Sequence, residues 1–317
     1  MDIKINLNWQ VRSGNESLVD PVLFDLFKTS AEGLTEAQRT HFLEVLDFQN
    51  RIAELLDNSL GVPIIEPEID NLIEKAKNVF EEGYRLLSVT GVRDRHYKII
   101  YDSLKTKVCP FCGYEPFDAP GLSREDEDHY LLRSIYPLAA ANFVNLVPMG
   151  GRCNSRYKGT VDILYQQGGR RKAINPYGDF SASISLVNTN PFGNSKNEPD
   201  WEIDLVPDNE EVQTWENIFS IRKRLKESVL VPNYESTLAE LSEWFEIKEK
   251  SIDSNDEQVL ASINEFASYK KRHPDQGLGF LKDKIVEMIA YHYQAENQPL
   301  IALIRAGLQQ PPEEMTC

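Results

Sequence analysis

The segment Cys109-Pro-Phe-Cys112-Gly113 opens the part of the chain in which residues able to bind metals or to transfer protons are concentrated. Two cysteines separated by two residues can hold one tetrahedral metal ion, and the glycine that follows permits the tight turn this spacing requires. Further along come Asp128-His129, then Asn145-Leu-Val-Pro148, and then Cys153-Asn154-Ser-Arg-Tyr-Lys158-Gly159. The order and spacing of these short motifs, rather than any one of them, carry the functional information.

This order resembles that of the HNH endonucleases of the His-Me finger group, in which Cys-x-x-Cys, Asp-His, Asn-Leu and Cys-x-x-Cys-Asn follow one another. The resemblance covers residues 109–159. It implies a β-hairpin followed by a helix around one divalent metal ion. The expected fold is therefore α+β, a mostly helical chain with a central ββα-metal (HNH) core. The resemblance also implies an enzyme that hydrolyses phosphodiester bonds and leaves a 5′-phosphate and a 3′-hydroxyl.

Phosphodiester hydrolysis requires a base for the attacking water and a cation for the charge that develops in the transition state. His129 is the natural base, because a neutral imidazole is available near pH 7. Asp128 and Asn154 offer hard oxygen ligands suited to Mg²⁺ or Mn²⁺. The resemblance implies that Asp128 lies on the hairpin and Asn154 on the following helix, and that Asn145 orients His129.

The charge balance limits how nucleic acid could bind. The chain has 34 Lys+Arg and 50 Asp+Glu, a formal net charge of −16, so we do not expect a protein that coats nucleic acid through overall basicity. Arg152, Arg156 and Lys158 lie beside the predicted metal-binding helix and are expected to clamp phosphates. The basic clusters at 170–172, 222–224 and 270–272 are interpreted as solvated loops.

Cys109, Cys112 and Cys153 are the candidate ligands of a structural zinc ion. The HNH pattern has a second cysteine pair, but Gly150 stands where that pair should begin, so only Cys153 remains of it. A structural zinc site has four ligands, and water, His96 and Cys317 stay open as the fourth. The alternative is that no zinc binds and that packing holds the turn.

The flanking regions carry helical and strand patterns. Thr35-Glu-Ala-Gln38 has the form of a capping box at the start of an amphipathic helix. Alternating apolar and polar residues at 181–187 and 201–206 predict a short two-stranded piece. We therefore divide the chain into an N-terminal helical region (1–87), an HNH nuclease core (88–180), and a short hairpin with C-terminal helices (181–317).

The sequence offers no membrane-spanning segment, because the longest uncharged stretch, residues 134–151, contains two prolines and several polar residues. The first ten residues lack the pattern of a signal peptide. A Cys-x-x-Cys pair suits a reducing compartment better than a disulfide framework. We therefore expect a cytoplasmic protein without membrane attachment.

The leading hypothesis is a Mg²⁺-dependent HNH endonuclease acting on DNA, with helical regions that select a substrate or partner. A looser similarity of context, to HNH subunits of bacterial anti-phage systems of the Septu type, suggests an antiviral effector working beside an ATPase partner subunit. Two alternatives stay open. One is an RNA endonuclease of the same fold, acting for example on transfer RNA. The other is a catalytically silent HNH-fold module for binding or assembly.

Overall fold

The computed structural model describes residues 21–122, 127–179, 181–193, 198–250, 254–273 and 281–308. These residues form two compact units. The first unit takes in the described parts of 1–107, 117–180 and 213–219. The second takes in the described parts of 108–116, 181–212 and 220–317.

Helices account for most of the described structure. In chain order they are α1 (Pro21–Glu32), α2 (Glu36–Asn50), α3 (Ile52–Leu56), α4 (Asp70–Val89), α5 (Val92–Ser103), α6 (Glu210–Phe219), α7 (Ile221–Leu225), α8 (Val231–Ile247), α9 (Asp256–Arg272), α10 (Lys282–Gln294) and α11 (Gln298–Gly307). A further helical turn of the π type covers Cys153–Lys158 and is called the 153–158 turn below. Helix α2 begins with the predicted capping box, in which Thr35 and Gln38 exchange hydrogen bonds.

The sheets are small and antiparallel. Strand β1 (Glu127–His129) pairs with β2 (Leu146–Pro148), β3 (Tyr165–Gln166) with β4 (Gly169–Arg170), and β5 (Ser183–Ser185) with β6 (Asp204–Val206). The β5–β6 pair, in register at Ile184 and Leu205, lies within the two segments predicted as a hairpin. Helices together with small antiparallel sheets confirm the α+β prediction at that level.

The core of the first unit brings α2 and α4 against the loop that joins β1 to β2. Its buried members are Phe42, Val45, Ile69, Leu72, Ala76, Phe80, Leu138 and Ala140. Two polar contacts fix the loop to α2: the Leu138 amide donates to the Gln49 side chain at 2.9 Å, and the Asn50 side chain donates to the Leu138 carbonyl at 3.0 Å. These contacts hold the loop segment that contains Ala140 against α2.

In the second unit, α8, α9 and α10 pack together, and α10 also contacts β5. Glu240 of α8 forms ion pairs with Lys270 of α9, at 2.6 Å, and with Lys282 of α10. Burial raises the pKa of Glu240, but the hydrogen bonds and charges of the two lysines outweigh it, so the pKa lies below its ordinary value. These pairs tie the three helices together.

Members of all three basic clusters differ from their interpretation as solvated loops. Residues 222–224 and 270–272 lie in α7 and α9, and Lys270 is only 12% exposed and pairs with Glu240. Arg171 is buried and donates to the Ile163 carbonyl at 2.9 Å, and Arg170 donates to the Leu55 carbonyl at 3.0 Å. Arg224 is also buried and donates to the Tyr114 hydroxyl at 3.1 Å. For these arginines the interpretation was wrong, because their guanidinium groups satisfy groups inside the protein.

The two units can be compared with the three regions inferred from the sequence. Most of residues 1–87 and 88–180 lie in the first unit, and most of residues 181–317 lie in the second. Within the described ranges, none of the helices has the length and apolar character needed to cross a lipid bilayer.

Candidate active site

A short antiparallel hairpin positions the predicted catalytic pair. Asp128 and His129 are the second and third residues of β1 and lie opposite Val147 and Leu146 of β2. Successive side chains of a strand point to opposite faces. The His129 ring accordingly packs against Tyr84 of α4, whereas the Asp128 carboxylate meets the 153–158 turn.

The His129 ring is buried, with 8% of the residue exposed, and is held by one backbone group. Its Nε2 atom lies 2.9 Å from the Ala140 carbonyl oxygen. A carbonyl oxygen only accepts hydrogen bonds, so Nε2 carries the proton and Nδ1 is the acceptor atom of the neutral ring. Within the described ranges Nδ1 has no hydrogen-bond partner.

The surroundings of His129 favour its neutral form. Burial lowers the pKa of His129 to about 4, against the opposing effect of the Ala140 hydrogen bond and with smaller contributions from the nearby cations Arg133, Lys158 and Arg93. A ring in this state is uncharged at neutral pH and can accept a proton. Its basicity is modest, because a base with a pKa far below the working pH has a weak driving force for proton transfer.

Asn145 is fully buried and acts on the loop rather than on the His129 ring. Its side-chain oxygen accepts from the Leu131 amide at 2.6 Å, and its amide group donates to the carbonyls of Leu131, at 3.0 Å, and Ala139, at 3.3 Å. The group in direct contact with the imidazole is the Ala140 carbonyl. The expected orienting role of Asn145 is thus indirect, through the position of the Ala139–Ala140 backbone.

The structure corrects the role predicted for Lys158. Its side chain is completely buried, and its ammonium group lies 2.6 Å from Asp128 Oδ2 and donates to the His129 carbonyl at 2.9 Å. A buried ammonium with these contacts is not available to clamp a phosphate. Instead, Lys158 joins the 153–158 turn to β1. The sequence did not reveal this role, because Lys158 stands beside the exposed Arg156 in a basic run.

Asn154, Arg152 and Arg156 lie on or beside the 153–158 turn. Asn154 is partly buried, and its side chain makes no hydrogen bond to any described residue. Arg152 and Arg156 are exposed. Through Lys158, the turn that carries Asn154 is fixed to the strand that carries Asp128, but within the described ranges no side-chain hydrogen bond joins Asn154 to Asp128 or His129.

The oxygen ligands suit a divalent ion by type. Asp128 offers a carboxylate, and Asn154 offers an amide oxygen with no partner among the described residues. Both are hard donors of the kind that Mg²⁺ and Mn²⁺ bind. The carboxylate is, however, already paired with the ammonium of Lys158. A divalent ion bound beside Asp128 would therefore be repelled by the ammonium of Lys158.

The three predicted cysteine ligands are buried and unoxidised, Cys109 and Cys112 in the second unit and Cys153 in the first. As a group of thiols they could hold a metal ion. The Cys109 carbonyl accepts from the Gly113 amide at 2.8 Å, and Gly113 has a positive φ of 77°, as the tight turn requires. His96 is not part of the group, and Cys317 lies outside the described residues.

A buried ionic network that was not predicted from the sequence lies behind β1. The Glu127 carboxylate, with its side chain fully buried, accepts from Arg93 at 2.8 Å and lies 2.5 Å from His96 Nδ1. Arg93 and His96 belong to α5, so the network fixes β1 to that helix. The available signal in the sequence is Arg93 three residues before His96, together with Glu127 next to Asp128-His129. Charged residues on a surface give the same pattern.

No protein-family model, no curated protein and no solved structure matches this chain.

Proposed function

We propose that this protein is a metal-dependent nuclease of the HNH type, with His129 as the general base. The observation that carries the proposal is the state of the His129 ring, which is buried, held through Nε2 and left with Nδ1 as an acceptor. Such a ring can take a proton from a water molecule at Nδ1. The order of hairpin and helical turn, which is the order the HNH resemblance implies, supports the same proposal.

Asp128 and Asn154 are proposed to hold the catalytic Mg²⁺ or Mn²⁺. When bound, the ion supplies positive charge to the phosphate oxygens as negative charge develops on them. His129 keeps its ring orientation through Ala140 and receives the proton at Nδ1. The exposed Arg152 and Arg156 are proposed to contact backbone phosphates on either side of the cleaved bond.

The second candidate is a catalytically silent HNH-fold module, and two observations favour it. Asp128 already has a cationic partner in Lys158, and it meets the 153–158 turn whereas His129 packs against α4. A buried ion pair of this kind can serve the structure alone. The Asn154 amide, which has no partner in the part of the chain that the structure describes, and the acceptor Nδ1 of His129 favour the enzyme instead, because a silent module needs neither.

DNA is the proposed substrate, and RNA is the alternative polymer, since the metal chemistry suits both. The strongly acidic chain suggests that another protein supplies part of the basic surface. By its resemblance in context to anti-phage systems, the proposed partner is an ATPase subunit. A cytoplasmic location belongs to the same proposal.

Zn²⁺ is the proposed ion of the cysteine group, because thiolates are its preferred ligands. Three cysteines leave one position to fill, and water or Cys317 is proposed there. Elemental analysis of purified protein tests this directly. About one zinc per chain, lost in a Cys112→Ser variant, is the expected result, and metal-free folded protein contradicts it.

The test of the proposed function is a cleavage assay. The purified chain is incubated with supercoiled plasmid and, separately, with total RNA, in Mg²⁺, in Mn²⁺ and in EDTA. We expect nicked plasmid with either ion and none in EDTA, and Asn154→Ala should shift the metal titration to higher concentration. Asn188→Ala, an exposed amide in the second unit, is the control. Cleavage of RNA alone would identify the other polymer, and intact DNA and RNA under all conditions would contradict the nuclease.

A further inference from the structure

We infer that Lys158 is a built-in counterion of the proposed metal site, which competes with the divalent ion for Asp128. The inference rests on the proposed function, because it concerns the ion assigned to Asp128. The Lys158 ammonium lies 2.6 Å from Asp128 Oδ2, within the distance of a direct ion pair. Its side chain is completely buried, whereas 16% of the Asp128 side chain is exposed.

Because Lys158 is buried, its positive charge must be compensated inside the protein. A charge removed from water is strongly unfavourable unless an opposite charge and hydrogen bonds compensate it. Lys158 obtains both, from the Asp128 carboxylate and from the His129 carbonyl, which accepts at 2.9 Å. The ammonium thereby neutralises Asp128 and links the 153–158 turn to β1 without any metal.

A divalent ion beside Asp128 must share the carboxylate with this ammonium. Two cations at one carboxylate repel each other, and the repulsion is weakly screened in a buried site. Metal binding therefore either displaces the ammonium or proceeds against its charge, and both lower the affinity. Lys158 thus acts as a positioning residue that holds the site together when it is empty and weakens its hold on the ion.

A role of Lys158 in supporting metal binding predicts the opposite effect on metal affinity. If Lys158 only orients the carboxylate for the ion, as hydrogen bonds to metal ligands commonly do, its removal should weaken metal binding. Measured metal affinity therefore separates the two roles without any reference to catalysis.

The experiment is a Mn²⁺ titration of the full chain. Binding is measured by calorimetry and, separately, from the electron paramagnetic resonance signal of free Mn²⁺. The variants are Lys158→Met, which removes the charge, Lys158→Arg, which keeps it, and Asp128→Asn. We expect Lys158→Met to bind Mn²⁺ at least tenfold more tightly than the parent and Lys158→Arg to resemble the parent. Equal or weaker binding by Lys158→Met overturns the inference. If Asp128→Asn nevertheless abolishes Mn²⁺ binding, the proposed metal site at Asp128 stands without the inference. If Asp128→Asn leaves Mn²⁺ binding unchanged, the proposed metal site is wrong as well.

A second measurement avoids the risk that Lys158→Met does not fold. In the parent protein labelled with ¹⁵N at lysine Nζ, the Lys158 resonance is assigned by its absence in Lys158→Arg. Addition of Mg²⁺ should shift or broaden this resonance as the ammonium loses its carboxylate or meets the ion. A Lys158 resonance that stays unchanged at saturating Mg²⁺ overturns the inference.

Discussion

The Nε2 atom of His129 lies 2.9 Å from the carbonyl oxygen of Ala140. This hydrogen bond decides which ring nitrogen carries the proton and which one can accept a proton. The Ala140 carbonyl is itself held in the buried core formed by α2, α4 and the loop between β1 and β2. The chemistry proposed for the imidazole therefore depends on the packing of the first unit.

Asn145→Ala should destabilise the loop that holds His129. The variant leaves the Leu131 amide and the carbonyls of Leu131 and Ala139 without their buried partner. We expect the free energy of unfolding to fall by about 2–3 kcal/mol, the usual cost of unsatisfied buried polar groups. Urea denaturation measures it. The exposed Asn188→Ala is the control, and equal small losses in both variants would contradict the role of Asn145.

The lowered pKa of His129 predicts a specific loss of stability in acid. The folded state holds His129 at a pKa of about 4, below its ordinary value of 6.5, so the unfolded chain binds more protons between these values. The contribution of His129 is complete above pH 6.5 and is lost as the pH falls to 4. The expected loss is about 3 kcal/mol.

His129→Gln separates this loss from the titration of carboxylates. The free energy of unfolding of both proteins is measured by urea denaturation in EDTA. From pH 7 to pH 4, the parent should lose about 3 kcal/mol more than His129→Gln. A difference that is independent of pH would show that the ring is not held in its neutral form.

Glu240→Gln should weaken the second unit. Glu240 loses ion pairs with Lys270 and Lys282, whose side chains are only 12% and 13% exposed. Because Glu240 itself is 31% exposed, we expect a modest loss of about 1 kcal/mol, reduced further in 1 M NaCl. Urea denaturation compares it with Glu243→Gln, an exposed residue of the same helix. A salt-independent loss, or the same loss in both variants, would argue against the ion pairs.

The sequence predicts those features that depend on residues near each other in the chain. The capping box at Thr35–Gln38 and the alternating segments that form β5 and β6 are of this kind. Each is a local pattern whose physical cause lies within a few residues, so no knowledge of the tertiary fold is required.

Contacts between distant residues account for what the sequence could not reveal. Lys158 and Arg156 look alike in the sequence, yet one is buried against Asp128 and the other is exposed. Glu127 likewise stands in an acidic run that could equally be a solvated turn, whereas its carboxylate is buried between Arg93 and His96. Whether a charged side chain is buried or exposed depends on the partner that the tertiary fold places beside it. The local sequence does not contain that information.

The measurement that tests the central claim most directly is the rate of plasmid cleavage in saturating Mg²⁺ by the parent, by His129→Ala and by His273→Ala. His273 is an exposed histidine at the end of α9 and serves as the control. The account predicts that His129→Ala slows cleavage by about 10²–10⁴-fold, the usual effect of losing a general base, while DNA binding and the rate of His273→Ala stay near those of the parent. Equal cleavage by His129→Ala and the parent would contradict it.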